Sequence, residues 1–187
     1  MDLELDRTSV ERRPTVPAVP EVAIVIPTLN DRENITVLVE RMARALDCIS
    51  WEAIFVDDDS ADGTIDEVRR IARSDARIRG LRRISRRGLA GAVLEGMLST
   101  SAEFIAVMDG DLQHDETRIG EMLSLLRQSE ADVVVASRYC RTGLEVAGLS
   151  PSRQLGSLLA TRLAQKLVRT ELSDPMSGFF MPASRGC

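Results

Sequence analysis

Phe104-Ile-Ala-Val-Met-Asp109-Gly-Asp111-Leu-Gln113-His114 sets an apolar run of strand length directly against two carboxylates one residue apart. In a parallel α/β sheet a strand covered on both faces reads as an unbroken apolar run, and ligands bind beyond the strands' carboxyl ends. The two acids therefore fall where a ligand is expected. Carboxylates this close repel one another unless a cation neutralises them, and hard oxygen donors suit Mg²⁺ or Mn²⁺, which in turn grip phosphate oxygens. The stretch reads as a metal and diphosphate site. Asp-x-Asp alone also describes a turn or a helix cap, so the flanking sequence has to decide.

Outward from this stretch the same pattern recurs. Val22-Ala-Ile-Val-Ile26, stopped by Pro27, reads as a strand buried on both faces. Asn30 and Asp31 then open a helix that carries Ile35, Leu38, Val39, Met42 and Leu46 at helical spacing. Trp51 to Val56 is a second strand ending in Asp57-Asp58-Asp59-Ser60, and Asp62 or Thr64 opens a helix through Ile65, Val68 and Ile71. Arg77 to Ile84 is a weaker third strand, followed by a helix over Gly88 to Ser99. Phe104 to Met108 is the fourth, with a helix over Thr117 to Leu126, and Asp132 to Ala136 is the fifth. This alternation predicts an α/β fold: a mostly parallel sheet with right-handed crossovers and helices on both faces. Asn30-Asp31, Asp57-Asp58, Asp109-Asp111 and Ser137-Arg138 would then leave the sheet along one edge. Four polar clusters on one edge make a site.

Composition sets the outer bounds. With 187 residues, 44% hydrophobic and 28% charged, the chain can form one soluble domain with a core that needs no staples. That domain is expected over residues 21–187, after a leader of residues 1–20 whose charges are mixed with Pro14, Pro17 and Pro20. The net charge of −5 argues against a generally nucleic-acid-binding surface. Arginines crowd the stretch from Arg69 to Arg87, but Lys166 is the only lysine, so a bias toward Arg accounts for part of the crowding. A solvated helix face running into an edge strand is the plain reading, and contact with anionic headgroups or phosphates is the alternative. Cys48, Cys140 and Cys187 are scattered and odd in number, which predicts neither a disulfide framework nor a zinc site and suits the cytoplasm. No run reaches the roughly 20 apolar residues of a membrane span. Leu155 to Arg169 is amphipathic, with Leu155, Leu158, Leu159, Leu163 and Leu167 on one side and Arg162, Lys166 and Arg169 flanking. It either packs on the sheet or lies at a membrane surface.

Six stretches together carry a resemblance: Pro27-Thr-Leu-Asn-Asp31, Val56-Asp-Asp-Asp-Ser-Ala-Asp-Gly-Thr64, Gly88-Leu-Ala-Gly-Ala92, Met108 to His114, Ser137-Arg-Tyr139 and Asp174-Pro-Met-Ser-Gly-Phe-Phe180. In this order they resemble the motifs of family 2 glycosyltransferases, in particular the dolichyl- and polyprenyl-phosphate mannosyl- and glucosyltransferases. The resemblance implies a GT-A-like fold and an inverting, metal-assisted transfer of a hexose, mannose first, from GDP-mannose or a UDP-hexose to a polyprenyl phosphate. It implies that Pro27, Leu29, Asp31, Val56 and Asp58 surround the nucleoside, although the family usually has an aromatic where Leu29 stands and Glu where Asp31 stands. Asp109, Asp111 and Gln113 look like its metal-binding set, with Gly110 admitting the donor closely. Arg138 and Arg153 resemble its phosphate-facing arginines, with Ser157 one helical turn beyond Arg153, and the catalytic roles fall to Asp111, Arg138 and Arg153. His114 is expected to fix the shape of the metal loop, with ligation or base catalysis as the alternative. A saccharide acceptor would need a base, for which Asp174 is the candidate. The end, Met181 to Cys187, departs from the family's usual continuation, so an incomplete domain or an inactive sugar-nucleotide-binding remnant is the further alternative.

Overall fold

The computed structural model describes residues 19–128, 133–136 and 177–182. The elements follow in the order β1 (Val22–Thr28), α1 (Arg32–Ala45), β2 (Trp51–Asp57), α2 (Thr64–Ala72), β3 (Ile78–Arg82), α3 (Leu89–Leu98), β4 (Phe104–Val107), α4 (Arg118–Gln128), β5 (Val133–Val135) and β6 (Phe180–Pro182). One six-stranded sheet runs β3-β2-β1-β4-β6-β5. β1 is parallel to β2 and β4, β2 is parallel to β3, and β6 runs antiparallel to both β4 and β5. The sheet is thus mostly parallel, as the alternating pattern predicts.

Two apolar layers follow from the period-2 alternation of the strands. Val22, Ile24 and Ile26 of β1 point with Phe55 into the larger layer, which α1 closes with Ile35, Leu38 and Met42, α2 with Val68, and α4 with Ile119 and Leu123. Ala23, Val25, Ile54 and Val56 face the other way, against Ala92 of α3. α3 lies close enough that a Cβ on Gly96 would collide with Val25. Val22 is level with both Trp51 and Phe104, so the loops after β1, β2 and β4 emerge at one edge. Strand order reverses between β1 and β4, and ligands of open α/β sheets bind at such a reversal.

The structure changes several boundaries and adds one strand. β1 runs through Pro27 instead of stopping there. Val25 O accepts from Met108 N and Thr28 O from Asp58 N, so residues 25 and 27 face β4. Pairing with β4 ends at Val25–Val107, and the N–H that proline lacks is not required there. β6 was not foreseen; it enters the sheet between β4 and β5 from far downstream. Asp31 occupies the cap position of α1 without capping it: its Oδ2 accepts from its own neighbour Leu29 N at 2.9 Å, and the Arg32 N–H is taken by Asp62 Oδ2 at 3.1 Å. The expected leader, apart from Val19 and Pro20, and the 155–169 stretch lie outside the described residues. Among those residues no helix is long and apolar enough to cross a membrane.

Candidate functional site

The loops after β1 and β2 are sewn to each other. Asn30, at φ 61°, donates its N–H to Ser60 Oγ at 2.9 Å and accepts on Oδ1 from Ala61 N at 3.1 Å. Asp31 N donates to Thr64 Oγ1 at 3.0 Å. Asp57 is buried and accepts from both the backbone and the hydroxyl of Ser60. Asp62 accepts from Arg32 N, Thr64 N and the Thr64 hydroxyl. Burial works against its charge, but these bonds hold its carboxyl below the usual range. Asp57, Ser60, Asp62 and Thr64 are therefore committed within the protein, which narrows the acids free to meet a ligand.

Asp58 is buried and bridges two loops. One oxygen takes Arg83 Nη1, the other the Gly88 N–H at 2.7 Å, and Arg83 Nη1 also donates to Gly88 O at 3.1 Å. Gly88 holds φ 134°, a region open to glycine. Arg83 is itself buried, 5% exposed, with Nε 3.3 Å from Glu95. Burial opposes the Arg83 charge, yet Asp58 and Glu95 together raise its pKa. The result is a cleft of about 250 Å³ lined by Pro27, Thr28, Leu29, Asp58, Arg87, Gly88 and Leu89. Leu29 and Leu89 give it exposed apolar walls, 48% and 61% open. Three residues read as nucleoside contacts, Pro27, Leu29 and Asp58, line this cleft, but Val56 does not: its side chain is fully buried in the layer beneath α3. Asp31 lines the neighbouring hollow with Asn30 and Asp62, and its Oδ2 lies 3.8 Å from where a Cβ of Gly110 would stand.

Beyond β4, Asp109 is half-buried and Asp111 and Gln113 are exposed. Asp111 Oδ1 accepts from Gln113 N at 3.0 Å, and Leu112 between them holds φ 64°, a left-handed geometry costing about 1–2 kcal/mol in a leucine. His114 Nε2 lies 3.4 Å from Asp109 Oδ2, its ring tilted on Phe179 at 5.3 Å. Gly178, one residue before Phe179, lies flat on the same carboxylate: a Cβ there would overlap Asp109 Oδ2 and stand 2.6 Å from its Cγ. Gly110 is different. A Cβ there would meet Ile26 and Thr28 at 3.4 Å, an ordinary contact, so the protein's own packing does not demand glycine at that position.

Two hard carboxylates on one loop fit a divalent ion. Among the described residues no group of three or more His, Cys, Asp or Glu is gathered as a ready-made cage. That pattern suits a Mg²⁺-like ion held by one or two carboxylates and completed by substrate phosphates. Arg138, Arg153, Ser157 and Asp174 lie outside the described residues. Sequence reading assigned no individual role to Arg83, Gly178 or Arg41; the first is hidden in an arginine-rich run, and the contacts of the others are distant in sequence.

Residues 23–183 match the profile of glycosyl transferase family 2. The chain belongs to that family. A curated relative, the dolichol-phosphate mannosyltransferase of Pyrococcus furiosus, is 34% identical over 163 residues, covering 86% of this chain and 45% of the relative. The family 2 chain thus spans about half the length of that protein. Among solved structures, the mannosyltransferase PcManGT from Pyrobaculum calidifontis in complex with GDP-Man and Mn²⁺ superposes with a TM-score of 0.56 at 23% identity, over 66% of this chain and 37% of that one. Glucosyl-3-phosphoglycerate synthase from Mycobacterium tuberculosis, in complex with UDP, superposes with a TM-score of 0.65 at 20% identity, over 88% and 57%. These neighbours are GT-A glycosyltransferases, and the GT-A fold expected for this family 2 chain is the one found.

Proposed function

We propose that this chain carries the donor site of an inverting hexosyltransferase that moves mannose from a nucleoside diphosphate to a polyprenyl phosphate. The observation that carries the reading is a juxtaposition. At one sheet edge, at the β1/β4 reversal, a cleft with apolar walls and a carboxylate floor lies beside a loop bearing Asp109 and Asp111. The Pyrococcus relative supports mannose and a dolichyl phosphate.

In this reading Pro27 and Leu29 cover the base, and Asp58 accepts from a base N–H on lone pairs left over from Arg83 and Gly88. Asp31, tied to the Leu29 N–H, faces the ribose side. Asp109, Asp111 and Gln113 would hold Mg²⁺ or Mn²⁺, and when bound that ion neutralises charge on the diphosphate. Arg138 and Arg153 would grip phosphates bidentately, with Ser157 adjacent. An oxygen of the acceptor phosphate attacks the anomeric carbon as the bond to the diphosphate oxygen breaks. The leaving diphosphate keeps the electron pair, and the configuration inverts. A phosphate oxygen is already anionic at neutral pH, so no general base is required, and rate comes from positioning and electrostatics.

Transfer of radiolabelled mannose from GDP-mannose to a short polyprenyl phosphate with Mn²⁺ tests this. Asp111→Asn is expected to remove transfer while leaving metal-free GDP binding in place. A protein that binds neither GDP-mannose nor UDP-glucose with Mn²⁺ would overturn the reading.

A further inference from the structure

The loop that presents Asp111 and Gln113 has a shape it does not favour by itself, because Leu112 between them is at φ 64°. From the middle of α1, Arg41 reaches this residue. Its Nη1 donates to the Leu112 carbonyl at 3.2 Å and stands 3.5 Å from Glu116 Oε1. Glu116 is buried at the foot of the same loop, 5% exposed, and that oxygen has no hydrogen-bond partner of its own.

We propose that Arg41, steadied by Glu116, is a positioning residue for donor binding: it locks Leu112 in its left-handed conformation and so presents Asp111 and Gln113 to the cation and the diphosphate. The proposal rests on reading Asp109 and Asp111 as the metal-binding pair. Its logic lies in one peptide plane. The Leu112 carbonyl and the Gln113 N–H belong to the same peptide; the oxygen is tied to Arg41 and the N–H to Asp111 Oδ1 at 3.0 Å. If Leu112 relaxed to negative φ the plane would turn, both bonds would be lost, and the Asp111 carboxylate would lose its orientation. Glu116 keeps the guanidinium from turning out to solvent, toward which Arg41 is already 38% exposed. A partner that orients a metal ligand without touching the metal typically changes metal affinity about 10- to 100-fold when removed.

Calorimetry on the full chain with Mn²⁺ and GDP-mannose, set beside metal-free GDP binding and hydrogen exchange at the Gln113 amide, decides the matter. In Arg41→Gln, Mn²⁺-dependent binding is expected to weaken about tenfold or more. Metal-free GDP binding should stay as in the unmodified protein, and the Gln113 amide should lose protection. Adding Leu112→Gly should restore most of the affinity, because glycine adopts positive φ freely. A simple tie between α1 and the loop would not be rescued that way. Unchanged Mn²⁺-dependent binding in Arg41→Gln, or a loss that Leu112→Gly does not relieve, overturns the proposal. If the unmodified protein takes up no Mn²⁺ with any donor, the metal reading falls and the purpose assigned to Arg41 falls with it; the exchange measurement then still shows whether Arg41 holds the loop.

Discussion

Gly178 shows how a residue without a side chain can govern one that has a charge. Any Cβ there overlaps the Asp109 carboxylate, so Gly178→Ala must displace Asp109 or push β6 away from β4. We expect Mn²⁺-dependent GDP-mannose binding to weaken about tenfold or more, while metal-free GDP binding changes little; calorimetry of both, with equal affinities in variant and parent, would refute the contact's importance. Asp58 makes a second case. Its removal leaves the buried Arg83 guanidinium with Glu95 as its remaining acid, and breaking a buried pair on one side costs several kcal/mol. Asp58→Ala is therefore expected to lower unfolding stability by about 3–5 kcal/mol, measured by urea denaturation, whatever it does to nucleotide binding. At this scale the sequence marks the candidate acids well and the wiring poorly. Asp58, Asp109 and Asp111 stand out because acids follow apolar runs. Arg83 looks like one more cation in a crowded stretch, since burial of a single arginine leaves no periodic trace, and the side chain of Val56, placed by resemblance near the base, is buried in the apolar layer under α3.

Helices and strands were more legible, because each long one repeats its apolar spacing several times. β1, β2, α1, α2 and α4 lie where that spacing puts them, within a residue or two at the ends. β6 escaped because three residues, the last of them Pro182, are too few for an alternation to register, and its partners lie more than forty positions upstream. One tie between elements makes a pH prediction. Glu67 of α2 accepts from Arg70 of the same helix at 2.9 and 2.7 Å and from Thr36 of α1 at 2.7 Å. The Arg70 and Thr36 bonds hold its carboxyl down from 4.5 to about 2. A depressed carboxylate contributes stability that is present above its unfolded value and lost as acid protonates the folded form. Thermal stability should therefore fall between about pH 4.5 and 2, and Glu67→Gln should flatten that part of the profile in calorimetric scans. On the other face of the sheet, Gly96→Leu would force a side chain into Val25 and Val56. Overpacking of this kind costs about 1–3 kcal/mol or more, visible as a lower urea midpoint.

For the whole molecule, the arginine-rich stretch is largely balanced from within. Arg69, Arg70, Arg77, Arg79, Arg82, Arg83 and Arg86 each stand within ion-pair distance of an acid. Apart from the buried Arg83, these arginines are at least partly solvent-exposed, on α2 and on or beside the edge strand β3. Donor binding should be felt by the fold as a whole. At a hundred times its dissociation constant, GDP-mannose with Mn²⁺ should stabilise the protein by about 2.7 kcal/mol, read as a rise in melting temperature that Asp109→Asn together with Asp111→Asn abolishes. The β6 insertion has one further consequence. Gly178 lies over Asp109 from the far end of the described sequence, whereas every residue lining the cleft at Leu29 and Asp58 falls within the first ninety, so during synthesis that lining leaves the ribosome long before the residue that covers Asp109. The two parts of the proposed donor site are thus separated in the order of synthesis.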